Sequence, residues 1–119
     1  GPDCGYCERL HREFLDNPAS GGTLANGAII REISRDTGGK VTDFDGERIR
    51  TRLFLARYEI FATPTLLFLS PEGKLLAPAL VGFNGPQAYG ELVATRLAHA
   101  SQNLASGDRP SQAMLASGK

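Results

Sequence analysis

Apolar residues recur at two different periods along this chain, and the switches between them mark out its elements. Cys7, Leu10, Phe14 and Leu15 fall on a helical stripe while Glu8, Arg9, Arg12 and Glu13 take the other face, which predicts a helix from about Cys4. Asp16-Asn17-Pro18 ends it, because proline pushes the residue before it out of the helical region, and Ser20-Gly21-Gly22 prolongs the break. Residues 28–33 read as a short strand, Gly38-Gly39-Lys40 as a turn, and 41–46 as either a strand end or an ordered loop. A second helical stripe, Ile49, Leu53, Phe54 and Tyr58, predicts a helix over 48–58. Thr65-Leu66-Leu67-Phe68-Leu69 is nearly continuous in apolar character, as expected of a strand covered on both faces. Ser70-Pro71-Glu72-Gly73 has turn chemistry, and Lys74-Leu75-Leu76 begins the return strand of a hairpin. After a loop at 81–85, Pro86 suits the first turn of a helix that runs to about His99 on Tyr89, Leu92, Val93 and Leu97. Beyond Ala100 the chain is Ser-, Gly-, Ala- and Gln-rich without apolar periodicity. That predicts one domain over 1–100 and a flexible tail over 101–119.

Composition narrows the function classes. A chain of 119 residues that is 41% hydrophobic suits a single domain with one core. Thirteen basic residues balance thirteen acidic ones, which gives no electrostatic case for nucleic acid or for an anionic membrane surface. No apolar stretch is long enough to span a bilayer, and no charged-then-apolar leader is present; a cleaved leader would leave no trace, so no compartment follows. The two cysteines, Cys4 and Cys7, are too close in sequence to staple distant parts of a fold, so they read as chemistry.

Cys4-Gly5-Tyr6-Cys7 at a helix start, followed far downstream by Thr63-Pro64 ahead of an apolar strand, points to thiol–disulfide exchange. A thiolate is the attacking species, and unpaired backbone N–H groups at a helix N-terminus favour it. The first cysteine, Cys4, is therefore the candidate nucleophile, and Cys7, one turn further in, the resolving thiol. Asp3 opposes ionisation of Cys4 if its carboxylate points at the sulfur. Gly5 leaves room for a partner backbone, and Tyr6 either lines a substrate groove or is simply an exposed aromatic. No organic cofactor is required, since the two sulfurs carry both electrons. The alternative from another class is a metal-binding or metal-delivery module using Cys4, Cys7 and His11, although a fourth ligand is not evident. A redox-silent scaffold would need neither the cysteines nor Thr63-Pro64. The plain reading of His11 is a surface histidine, and His99 needs no function at a helix end. Asp43 and Asp45 lack the further oxygen ligands of a calcium loop, Arg48, Arg50, Arg52 and Arg57 read as a solvated face, and Gly82 serves either a turn or the site.

Along most of residues 3–100 the chain resembles the thioredoxin superfamily. The resemblance rests on the Cys-Gly-Tyr-Cys helix start, Thr63-Pro64 before a buried strand, the Pro-Glu-Gly turn, and the glycine-containing loop before the last helix. Cys4–Cys7 with Leu10-His11 is similar to the catalytic domain of bacterial periplasmic disulfide isomerases. Asp43-Phe44-Asp45-Gly46 with Thr63-Pro64-Thr65 is closer to periplasmic thioredoxin-like proteins associated with sulfur oxidation. The resemblance implies an α/β thioredoxin-like fold, a mixed sheet flanked by helices in three layers, with its first strand missing from this chain. It also implies a cis peptide before Pro64, with Thr63 and Pro64 shaping a substrate groove, and a periplasmic location. Expected partners are protein or small-molecule disulfides and a redox protein that recycles the cysteine pair. The tryptophan common before the motif is replaced by Asp3, and no dimerisation domain is present, which counts against an isomerase of the dimeric type.

Overall fold

The apolar run at 65–69 lies next to the centre of a four-stranded sheet, and the amphipathic segments cover that sheet on its two faces. The computed structural model describes residues 4–17, 29–35, 38–104 and 112–117. Helix α1, Gly5–Leu10, continues through His11–Leu15 as a π-helical segment. Strand β1 is Ile29–Ser34, and β2 (Lys40–Thr42) pairs with β3 (Arg48–Arg50) in a separate antiparallel ribbon. Helix α2 (Thr51–Arg57), β4 (Thr65–Leu69), β5 (Leu75–Val81), α3 (Pro86–Asn103) and β6 (Gln112–Ser117) follow. The sheet order is β1-β6-β4-β5, with β1 and β6 parallel and the other pairs antiparallel.

Strand alternation divides the core between the two faces. Leu66 and Phe68 of β4, with Ala113 and Leu115 of β6, pack with Leu10 and Phe14 of α1 and Tyr89 and Val93 of α3. Leu67 and Leu69, with Met114 and Ala116, pack instead with Phe54 and Leu55 of α2 and Ile49 of β3. On the first face Phe14 and Phe83 each meet Tyr89 edge-on at 5.3 Å, a geometry that aromatic quadrupoles favour. This packing ties α1 to the loop before α3. Burial of these side chains, worth about 1.5–3 kcal/mol each, holds α1 in place on the sheet.

Several expectations are corrected. The flexible tail expected from residue 101 does not hold across that segment: α3 continues to Asn103, and Gln112–Ser117 is a strand buried along its whole length. Among the described residues no strand precedes α1, and β6 fills the sheet between β1 and β4. It pairs with β1 from Ile29↔Gln112 to Ser34↔Ser117, and with β4 from Thr65↔Ala116 to Leu69↔Gln112. An empty slot there would leave two buried rows of backbone donors and acceptors unpaired, and β6 satisfies both rows. Its two alanines gave no hydrophobic signal in the sequence, yet they fit a strand enclosed on every side.

The helix expected over 48–58 begins later, because Arg48–Arg50 pairs as a strand and Thr51 turns the chain with its N–H and hydroxyl on the Gly39 carbonyl, at 3.0 and 3.1 Å. Leu53, placed on the buried stripe, is 51% exposed, because the face of this helix that packs on the sheet is the one carrying Phe54 and Leu55. The 41–46 segment splits into the end of β2 and a turn closed by the bonds Asp43 N–H to Glu47 carbonyl and Gly46 N–H to Asp43 carbonyl. The return strand extends past Leu76 to Val81, with irregular register against β4.

Candidate active site

The order of residues around Cys4 follows from how α1 begins. Cys4 has extended backbone and caps the helix: its Sγ accepts the Cys7 N–H at 3.2 Å, while its carbonyl accepts the Glu8 N–H at 3.1 Å. Cys4 and Cys7 are joined as a disulfide, with Cα atoms 5.1 Å apart. Both cysteines are largely buried, Cys4 at 8% and Cys7 at 4% exposure.

Across from α1, the turn into β4 presents Thr63 and Pro64. The peptide bond between them is cis, and the Thr63 hydroxyl points at Cys4 Sγ from 3.6 Å. Two bonds hold this turn: Thr65 Oγ1 donates to the Ala62 carbonyl at 2.6 Å, and the Gly82 N–H donates to the Pro64 carbonyl at 2.8 Å. Gly82 sits at φ +85, a conformation that side chains resist, so the glycine is what lets β5 leave the sheet directly behind the turn. Tyr6 (60%), Phe61 (79%) and Val81 (67%) are the exposed large apolar side chains on the segments that frame the disulfide. Phe61 precedes the turn by two residues, and Val81 pairs with Thr65. Of the residues expected at the site, Cys4, Cys7, Thr63 and Pro64 are brought together, and Tyr6 stands exposed beside them. Asp3 lies outside the described residues.

The Cys7 side has a different character. A cavity of about 380 Å³ is lined by Cys7, Glu8, His11, Arg12, Glu32 and Ser117, among others. His11 Nε2 meets Glu32 Oε2 at 2.9 Å, and His11 Nδ1 stands 3.6 Å from Asp16 Oδ1. Partial burial pulls the His11 pKa down, but the bond to Glu32 and the charge of Asp16 more than reverse this, leaving it raised. The helical spacing Cys7 to His11 was legible in sequence. Glu32 on β1 and Ser117 on β6 carried no signal, because only the sheet order brings them to Cys7. Among the described residues, no group of three or more His, Cys, Asp or Glu side chains converges as a metal-binding set. No helix among them is long and apolar enough to cross a membrane.

A family model described as a thioredoxin-like domain matches residues 1–95, a stretch that includes Cys4, Cys7, Thr63 and Pro64 and stops short of β6. Neither the curated proteins nor the solved structures contain a match.

Proposed function

The chain belongs to the thioredoxin-like domain family, and from that premise we propose that it exchanges disulfides with protein partners through Cys4 and Cys7. The observation that carries this reading is the Cys4–Cys7 disulfide at a helix start, with Thr63 Oγ1 directed at the Cys4 sulfur. In the dithiol form the Cys7 N–H and the Thr63 hydroxyl are donors for a thiolate on Cys4, and hydrogen bonding to the charged form lowers a thiol pKa. That thiolate attacks a substrate disulfide, one substrate sulfur leaves, and Cys4 is left in a mixed disulfide. Cys7 then attacks Cys4, closing the intramolecular disulfide and releasing the second substrate thiol. Tyr6, Phe61 and Val81 give an extended apolar segment a surface to lie on, and the turn at Thr63 offers backbone for it to pair with.

Reduction or isomerisation of disulfides in extracytoplasmic proteins fits the resemblance of the Cys-Gly-Tyr-Cys motif, as does a periplasmic location. A redox partner recycles the cysteine pair. The direct test is incubation of the reduced Cys7→Ser variant with oxidised protein substrates, read by mass spectrometry for a covalent adduct at Cys4. An adduct lost in the Cys4→Ser, Cys7→Ser double variant supports the reading, and its absence with every substrate and with oxidised glutathione overturns it. Equilibration of the pair against glutathione then separates a reductase, with a strongly reducing potential, from an isomerase or oxidase.

A further inference from the structure

We propose that His11, oriented by Glu32, is the proton acceptor for Cys7 during resolution of the mixed disulfide. The inference rests on the exchange chemistry above and assigns a group that this chemistry requires. Cys7 must lose a proton before it can attack, and it is buried at 4% exposure, where burial disfavours the thiolate. The cavity beside it is where that proton can go. His11 lies one turn beyond Cys7, its backbone N–H bonded to the Cys7 carbonyl, and both side chains line the same cavity.

The arrangement has the form of an oriented base. Glu32 reaches from the neighbouring strand β1 to accept a hydrogen bond from Nε2–H at 2.9 Å, which fixes the ring and leaves Nδ1 as the basic nitrogen. Asp16 Oδ1, 3.6 Å from Nδ1, pairs with the imidazolium once the proton arrives. The change to π-helical geometry after Leu10 sets this spacing: Asp16 donates its N–H to the His11 carbonyl at 2.8 Å, which brings its carboxylate round to the His11 ring. The other charged groups on the cavity are Glu8 and Arg12 of the same helix, while β6 contributes the uncharged Ser117. Three carboxylates against one guanidinium favour a cation at His11, in keeping with its raised pKa.

The step balances. The Cys7 S–H bond breaks and its proton moves to His11 Nδ1. The Cys7 sulfur bonds to Cys4, and the bond from Cys4 to the substrate sulfur breaks with its electron pair on that sulfur. The departing thiolate is then protonated from the cavity or from solvent. The cysteine pair is oxidised by two electrons and the substrate disulfide is reduced by two.

A nitrobenzoate aryl disulfide reagent resolves the two events in one stopped-flow trace of the reduced protein. The first coloured thiolate released reports attack by Cys4, and the second reports attack by Cys7 on the mixed disulfide. From about pH 5 to about pH 9, the second phase in the wild type should rise and level off through the titration of His11. His11→Gln should leave the first phase unchanged and slow the second roughly 100-fold at neutral pH, a typical contribution of a positioned base. Its second phase should then climb steadily with hydroxide. Glu32→Gln, the milder change, should move the wild-type inflection to lower pH. A second phase with wild-type rate and pH profile in His11→Gln overturns the assignment. So does an unmoved inflection in Glu32→Gln if His11→Gln fails to fold. Absence of both phases in the wild type would instead remove the exchange reading itself, and this proposal with it.

Discussion

The two cysteines of the disulfide lie about one helical turn apart along the chain and have unlike surroundings. Beside Cys4 lies the Thr63 hydroxyl, next to the buried ring of Pro64; Tyr6 stands exposed between the cysteines, and Phe61 and Val81 are exposed on the segments that flank the Thr63–Pro64 turn. Beside Cys7 lies a cavity edged by Glu8, His11, Arg12 and Glu32. The first setting suits contact with another chain, because apolar area and exposed backbone recognise an extended segment. The second suits proton handling, because its groups titrate and hold each other in position. On the assignments proposed above, recognition belongs to the Cys4 side and proton transfer to the Cys7 side, so each should be open to damage with the other left working.

The sharpest break in that comparison comes from the sulfurs. Cys4→Ser should reduce disulfide exchange to the uncatalysed background in a turbidity or fluorescence assay of a protein disulfide. Cys7→Ser should keep the attack but stop at the mixed disulfide, visible as a covalent adduct on non-reducing gels. Next in size is the strand beneath both sides. Leu115→Ala in β6 removes a side chain that is 2% exposed and should cost about 2–5 kcal/mol by urea denaturation, lowering the occupancy of both settings together. Smaller still, Phe61→Ser should raise KM for protein disulfides by about fivefold or more, the effect of losing a contact worth upwards of 1 kcal/mol. Its turnover of small disulfides should be unchanged, and an equal loss on both substrates would dissolve the distinction between the sides.

The slightest effect concerns pH. His11 has a folded-state pKa above its ordinary value, so its stabilising contribution is complete below the usual histidine range and is lost as pH rises through the folded pKa. Melting temperature should therefore drift down over that window in the wild type, and Glu32→Gln should flatten the drift. An identical slope in both proteins would deny the pair any energetic role.

Much of the Cys4 side was legible because its residues announce themselves locally. A cysteine pair at a helix start and a Thr-Pro ahead of a five-residue apolar strand need no knowledge of the rest of the chain. The Cys7 side was legible only through His11, which shares a helix with it. Glu32 comes from β1 and Ser117 from β6, and no spacing rule links either to Cys7. The β6 strand escaped notice for a related reason. Gln112, Ala113 and Ala116 have little intrinsic preference for a strand, and their burial is imposed by the neighbours they pair with. Ile49 was read correctly as buried but placed on a helix, since one apolar residue between arginines fits either period.

The place of β6 also bears on how the molecule is assembled as it is made. Of the described strands it is the last to leave the ribosome, yet it lies inside the sheet and separates β1 from β4. Until it arrives, those two strands each present a bare edge, and a nascent chain in that condition invites pairing with foreign strands. Closing the sheet means joining Gln112 to Ile29 across most of the chain, a distant contact whose loop entropy must be overcome before any reward is felt. The sheet that carries the cysteine helix should accordingly close all at once, when Gln112–Ser117 slides between two strands that have been waiting for it.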